Sequence, residues 1–175
     1  MDAFFEILKY TLPAVLVIVV VWVLLNKFFK QQESRQRYLL YKENQKNVTP
    51  IRFTAYERLV LFLERITPDS LLVRTQSDSY TAIQLHAALL TVIRAEYEHN
   101  VAQQIYVSAE AWEVVKNAKE SIVQLINACA AQVDPQGPSV DLAKAILATY
   151  ENSTSAPTMV AISFLKTELK TYFSA

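Results

Sequence analysis

The residues with the clearest chemical potential lie near the middle of the chain, where Glu96 and His99 stand three positions apart. In a helix this spacing puts both side chains on one face, with Gln103 on the same side. Glu-x-x-His pairs bind metal in di-iron helical bundles, but those sites need a second such pair and two further glutamates. The other histidine, His86, has no glutamate at that spacing. We therefore expect no metal and no cofactor, and we interpret His99 as a hydrogen-bonded histidine in a helix packing layer.

Arg94 interrupts the apolar pattern of the same predicted helix. The stripe that we expect to be buried consists of Ile83, Leu90, Tyr97 and Val101. A buried guanidinium is costly unless a carboxylate pairs with it. Glu98 lies one turn further on, and Glu57 and Glu64 are the other candidate partners. The pattern predicts a buried ion pair; an exposed Arg94 and an anion site are the alternatives.

A second candidate surface lies on the helix that the sequence predicts at residues 52–66. Its apolar face carries Tyr56, Leu59, Val60, Leu63 and Ile66. Leu61 projects into the middle of the opposite, charged arc, and Phe62 onto its edge. A helix this apolar is contacted on two sides, by its own domain or by a partner. The candidate interaction surface consists of Glu57, Arg58, Leu61, Phe62, Glu64 and Arg65.

Motifs and charge exclude several classes of function. The sequence contains no Gly-rich phosphate loop, no Cys/His zinc pattern and no G-x-S-x-G elbow, so we expect no enzyme and assign no catalytic residue. The 17 basic and 17 acidic residues give a net charge of zero, and no long basic stretch indicates nucleic acid. The single cysteine, Cys129, excludes an internal disulfide and is expected to be buried among apolar neighbours.

Glycine and turn patterns indicate an all-α chain. There is one glycine, Gly137, and no segment alternates with the period of a strand. Pro50, the segment 134–138 and the segment 152–156 are predicted to separate helices. The predicted helices span about 52–66, 68–74, 81–106, 109–132, 139–151 and 157–173. Local signals mark three helix starts: Thr67 before a proline, Thr81 with Gln84 as a capping box, and Ser108.

The N-terminal segment predicts a membrane anchor. Fourteen residues from Leu12 to Leu25 carry no charge or amide, and their flanks extend the tolerable span to about 20 residues. Six basic residues follow within about 20 positions, whereas one precedes, which favours an outer N-terminus and a cytoplasmic C-terminal domain. The predicted organisation is a single transmembrane helix at 1–30, a polar helical stalk at 31–50 and a compact helical-bundle domain at 51–175.

Two stretches of the sequence are distinctive: Asn47–Pro68 and Ile93–Ser108, the latter followed by Trp112. Together with the anchor they resemble a family of uncharacterised single-pass membrane proteins from Bacteroidetes. The resemblance covers nearly the whole chain and implies a bacterial inner membrane. It implies no catalytic residue.

These observations predict a membrane-anchored cytoplasmic module that binds other proteins, as an adaptor or an accessory subunit of a bacterial envelope complex. The expected partners are the membrane and other proteins, with a homo-oligomer possible and nucleic acid excluded. The alternative is a small-ligand or metal site in the bundle, centred on Arg94, Glu96 and His99. A ligand site requires those three residues and Gln103 to line one cavity, whereas a binding module requires an exposed apolar patch.

Overall fold

The computed structural model describes the backbone of residues 2–77, 79–153 and 156–174, and side chains at 17, 20–33, 35–36, 38–39, 48–77, 79–153 and 156–172. Over these residues the chain forms six α-helices and one short 3-10 helix, which confirms the all-α prediction. The elements are α1 (Asp2–Arg65), α2 (Pro68–Thr75), α3 (Ala82–Asn100), the 3-10 helix (Val101–Ile105), α4 (Ala109–Ala130), α5 (Ser139–Glu151) and α6 (Pro157–Ser174).

The chain divides into two compact units, residues 1–49 and residues 50–175. In the first unit the large apolar side chains that are described, such as Trp22 and Phe29, are exposed. Helix α1 has no boundary at residue 30 or at Pro50, so the prediction that Pro50 ends the polar helix is wrong. A proline removes one backbone hydrogen bond and strains a helix, but it need not end one. The Thr54 hydroxyl donates to the Pro50 carbonyl at 3.0 Å.

The predicted transmembrane anchor requires a correction. Over the residues that the structure describes, none of the helices is long and apolar enough to cross a membrane. This finding contradicts the predicted single-pass inner-membrane protein and, with it, the predicted orientation. The side chains of residues 12–16, 18 and 19 lie outside the described residues.

The second unit is a helical bundle around one hydrophobic core, as the sequence predicts. The C-terminal part of α1 contributes its predicted apolar face, with Tyr56, Leu59 and Leu63 at most 1 % exposed and Val60 partly buried. Ile66, directly after the helix, is also buried. Helices α2 to α6 supply most of the remaining core, including Leu71, Leu72, Leu85, Leu89, Ile93, Val115, Ile122, Ile126, Leu142, Ile146 and Leu165. Cys129 is also buried, as expected, and its thiol donates to the Thr149 hydroxyl at 3.4 Å.

Side-chain caps fix the starts of α3 and α4 where the sequence predicts them. The Thr81 hydroxyl accepts a hydrogen bond from the Gln84 backbone N–H at 3.4 Å, and Gln84 Oε1 accepts one from the Thr81 N–H at 3.0 Å. The Ser108 hydroxyl accepts from the Ala111 N–H at 3.0 Å. Thr67 occupies the predicted position before α2, but its hydroxyl donates to the Glu64 carbonyl at 2.7 Å and caps nothing.

The segment between α4 and α5 completes the start of α3. The carbonyls of Gly137 and Pro135 accept hydrogen bonds from the backbone N–H groups of Ala82 and Ile83 at 2.9 and 3.0 Å. The first N–H groups of a helix have no partner within it, so these contacts supply one. The loop therefore fixes where α3 begins and, through α3, where its C-terminal half lies.

Candidate functional site

An open groove of about 550 Å³ lies between α1 and α3 on the second unit. The α1 wall consists of Thr54, Glu57, Arg58, Leu61, Phe62 and Arg65, and the α3 wall of Val92, Ala95, Glu96, His99 and Asn100. We call this feature the α1–α3 groove. On each helix the lining residues recur three and four positions apart, which is the spacing of a single helix face.

The two walls differ in the size of their apolar side chains. Ala95 offers only a methyl group on the α3 side and is itself exposed. On the α1 side Phe62 is 1 % exposed, and its ring centroid lies 6.1 Å from that of Tyr97. Leu61, one position earlier, is 54 % exposed. Phe62 therefore joins the two helices beneath the groove, while Leu61 remains at the surface.

Glu96, on the α3 wall of the groove, forms ion pairs with two arginines. Its Oε2 accepts from Arg65 Nη1 at 3.3 Å, and its Oε1 accepts from Arg74 Nη1 at 3.2 Å. Arg74 also donates from Nη2 to the Arg65 carbonyl at 2.5 Å and from Nε to the Ser70 carbonyl at 3.2 Å. The Glu96 carboxylate thus connects α1, α2 and α3, and both of its oxygens are occupied.

His99 and Asn100 bond back to their own helix. A carbonyl oxygen only accepts, so His99 Nδ1 donates its proton to the Ala95 carbonyl at 3.0 Å. This bond confirms the predicted hydrogen bond of His99, but its side chain is exposed, so the predicted place in a helix packing layer is wrong. Asn100 Nδ2 donates to the Glu96 carbonyl at 2.8 Å. The Nε2 atom of His99 is left available to a binding partner.

The prediction that Arg94 is a buried partner of a carboxylate is wrong. Arg94 and Glu98 are both exposed, and neither has an ion pair within 4.0 Å among the described residues. The buried residues of α3 are Ala82, Leu85, Leu89, Ile93 and Asn100. Of the predicted stripe, Leu90 and Tyr97 are partly buried against the core, whereas Ile83 and Val101 are 49 % and 39 % exposed. The predicted stripe and the observed buried residues both have helical spacing, so the packing of the neighbouring helices decides which side chains are buried. Arg94 lines a separate pocket with Lys119 and Glu120.

The groove brings together parts of both predicted surfaces. Of the candidate interaction surface, all but Glu64 line it. Of the candidate polar cluster, Glu96 and His99 line it, whereas Arg94, Glu98 and Gln103 do not. Gln103 falls outside because α3 ends at Asn100, and the 3-10 helix that follows turns with a different period.

Sequence reasoning missed the ion pairs that shape the groove. Glu96 lies 31 positions from Arg65 and 22 from Arg74, so no local spacing joins them. Val92, Ala95 and Asn100 share the helical face of Glu96, and that spacing could have included them. Which element this face meets is decided by the packing of the whole unit.

The groove lining combines charged groups with the exposed apolar side chain of Leu61. Within the described part of the chain, no group of three His, Cys, Asp or Glu side chains is placed to hold a metal ion. The Glu96 carboxylate is neutralised by two guanidinium groups, and His99 lacks a nucleophile as a hydrogen-bonded neighbour. Leu61 is an exposed apolar side chain among the charged groups that line the groove.

A second polar cluster lies between α1 and α6. The Tyr56 hydroxyl and Glu168 Oε2 are buried, and neither has a hydrogen-bond partner among the described residues. Burial, followed by the negative charge of Glu168, raises the pKa of Tyr56 well above its ordinary value. Nearby, the Arg52 guanidinium lies 4.1 Å from the centre of the Tyr172 ring, and its Nε donates to the Tyr106 carbonyl at 3.1 Å. This cluster joins α1 to α6 beside the core.

Comparison with known proteins identifies a family. No curated protein and no solved structure matches the chain. Residues 2–172 match a family described as a "Family of unknown function (DUF7935)". This match carries no organism and no activity, so the resemblance to Bacteroidetes proteins stays a prediction. Because the match extends over nearly the whole sequence, the chain belongs to this family of unknown function, DUF7935.

Proposed function

We propose that the protein is a protein-interaction module that binds a helical segment of a partner protein in the α1–α3 groove. The observation that carries this proposal is Leu61, a large apolar side chain that is 54 % exposed on the wall of an open groove of about 550 Å³. Exposed apolar surface with a polar rim is typical of protein interaction sites. Arg58 and Arg65 supply that rim on either side of Leu61.

The form of the groove favours a helix as its occupant. Both walls are α-helices, whose backbone groups are already bonded within each helix, so an extended peptide would find no free strand edge to pair with. A helix laid in a groove uses side chains alone. The α1 wall from Thr54 to Arg65 is about 16 Å long by helical rise, which matches a partner helix of about three turns.

The ligand-site alternative has less support from the geometry. It requires Arg94, Glu96, His99 and Gln103 to converge on one cavity, and two of the four lie elsewhere. Small-molecule sites combine an enclosing pocket with polar groups aimed at the ligand. Here the carboxylate of Glu96 is already bonded to Arg65 and Arg74. A partner helix needs only the exposed side chains of the groove, such as Arg58 and Leu61.

Site-specific photo-cross-linking tests the proposal in the full-length chain, expressed in its own host. A photoreactive residue at position 61 is expected to form a covalent adduct with another polypeptide. Position 73 is the control, because Val73 is 86 % exposed on α2 and lies outside the groove. Adducts from position 73 but not 61 would place the interaction elsewhere. No adduct from 61, 73, 83 or 160, all exposed apolar positions, would contradict the protein-interaction role.

A further inference from the structure

We infer that the partner is a second copy of this chain, whose α1 lies parallel to α1 along the exposed face around Leu61. The inference rests on the proposed function, which requires a helical segment, and it names that segment. The face consists of five exposed residues, Glu57, Arg58, Leu61, Glu64 and Arg65, and we call it the Leu61 face. All of these residues except Glu64 belong to the α1 wall of the α1–α3 groove.

The charges of the Leu61 face are separated onto its two edges. At about 100° of rotation per residue, Glu57 and Glu64 lie about 40° and 60° to one side of Leu61. Arg65 and Arg58 lie about 40° and 60° to the other side. Arg58 and Arg65 line the α1–α3 groove, and Glu57 lines both this groove and a second one between α1 and α6. The face therefore has a basic edge towards α3, an acidic edge towards α6 and no net charge.

Both edges of the Leu61 face are open to a partner. Glu57, Arg58 and Glu64 have no ion pair within 4.0 Å among the described residues. Arg65 donates to Glu96 from Nη1, and its side chain is 47 % exposed, so its guanidinium is open to a second carboxylate. A complementary helix must carry one acidic and one basic edge on either side of an apolar residue. The Leu61 face itself has this pattern, so a second copy of it is a complementary occupant.

The separated charges also fix the direction of the second α1. In a parallel pair with a two-fold axis along the helices, the acidic edge of each copy lies beside the basic edge of the other. Glu57 then faces Arg58 of the second copy, Glu64 faces Arg65 of the second copy, and the two Leu61 side chains meet. An antiparallel pair would bring the two acidic edges together and the two basic edges together. Because flanking charges set the orientation of paired helices, we assign a parallel pair.

Charge reversal combined with photo-cross-linking tests this inference in the full-length chain. Two copies with different tags are co-expressed, one with the photoreactive residue at position 61, and we expect an adduct that contains both tags. Glu57→Arg in both copies sets guanidinium against guanidinium, and Arg58→Glu in both copies sets carboxylate against carboxylate. Each change is expected to lower the adduct yield about tenfold. Glu57→Arg in one copy with Arg58→Glu in the other pairs opposite charges again and should restore the yield.

The matched control is Arg94→Glu, which reverses the charge of an exposed arginine outside the groove. It should leave the adduct yield unchanged, because Arg94 lies outside the Leu61 face. Equal melting temperatures show that the variants fold, since neither Glu57 nor Arg58 has a described ion pair to lose.

The outcomes separate the inference from the proposed function. An adduct from position 61 with a different protein, and none with the second copy, overturns the inference, whereas the interaction module stands. A higher yield with Glu57→Arg indicates an antiparallel pair, in which position 57 faces Glu64 of the second copy, and overturns the inference as stated. A yield that neither reversal changes also overturns it. The absence of adducts from positions 61, 73, 83 and 160 refutes the proposed function, and the inference with it.

Discussion

Arg58 and Arg65 lie seven positions apart on one face of α1, and their neighbours give them different roles. Arg65 is bonded to Glu96, which also holds Arg74, so its charge is used to join helices. Arg58 has no carboxylate within 4.0 Å among the described residues, so its guanidinium is available to a partner. The two arginines lie on the same helix face, but Arg65 has a structural role and Arg58 is a candidate binding residue.

The Glu96 ion pairs are expected to contribute modestly to stability. The side chains of Arg65 and Arg74 are 47 % and 33 % exposed, so solvent screens both pairs. Glu96→Gln should lower the free energy of unfolding by about 1 kcal/mol, and less at high salt. Urea denaturation measures this change. Glu98→Gln, at an exposed position without a described ion pair, should change it by under about 0.5 kcal/mol. Equal effects of the two variants would contradict the role assigned to Glu96.

Two adjacent residues of α3 test the observed phase of this helix. Arg94 is exposed, so Arg94→Ala should change the free energy of unfolding by under about 0.5 kcal/mol. Ile93 is 2 % exposed, so Ile93→Ala should lower it by about 2–5 kcal/mol through the cavity that it leaves. Denaturation of both variants measures the difference. A loss of free energy of unfolding of about 3 kcal/mol in Arg94→Ala would indicate that Arg94 is buried, as the sequence predicted.

The Tyr56 hydroxyl is expected to cost stability at neutral pH. It is buried without a hydrogen-bond partner, so Tyr56→Phe should raise the free energy of unfolding by about 1 kcal/mol. Because the pKa of Tyr56 is raised in the folded state, folding favours the protonated form, and that contribution is lost as pH rises above about 10. The native protein should therefore lose stability more steeply than Tyr56→Phe above pH 10. A destabilised Tyr56→Phe at neutral pH would indicate that the hydroxyl is bonded to Glu168.

At the scale of elements, the capping box of α3 makes a prediction of its own. Thr81→Ala removes the acceptor for the Gln84 N–H and should lower the free energy of unfolding by about 1 kcal/mol. The matched control is Thr91→Ala in the middle of the same helix, where the hydroxyl donates to the Ala87 carbonyl. Alanine is the better helix former there, so stability should stay within about 0.5 kcal/mol. Thermal and urea unfolding distinguish the two. An equal loss in both would mean that the cap does not fix the start of α3.

The elements also show which features could be predicted from sequence. The caps at Thr81 and Ser108 and the buried face of α1 depend on residues within a few positions, so they were predicted correctly. The buried face of α3 was predicted only in part: Leu90 and Tyr97 pack against the core, but Ile83 and Val101 do not, because the packing of the neighbouring helices decides which side chains are covered. The ion pairs of Glu96 span 31 and 22 positions, beyond any local pattern. Three of the five residues of the predicted polar cluster, Arg94, Glu98 and Gln103, fell outside the groove.

At the scale of the molecule, the groove belongs to the unit formed by residues 50–175. Its walls are helices fixed from below by the core and by the ring contact of Phe62 with Tyr97. The loop at residues 134–138 fixes the start of α3, and Glu96 fixes its C-terminal half against α1 and α2. A rigid groove costs little to order when a partner binds, which favours its use as a recognition surface.

The most direct measurement compares Leu61→Arg with Val73→Arg in the full-length chain, by quantifying co-purification of the partner that cross-links to position 61. Both variants place an arginine at an exposed apolar position, and only Leu61 lines the groove. We predict that Leu61→Arg lowers recovery of the partner at least about tenfold, whereas Val73→Arg leaves it unchanged and both retain the native melting temperature. Equal recovery with the two variants would contradict the assignment of the α1–α3 groove as the binding site.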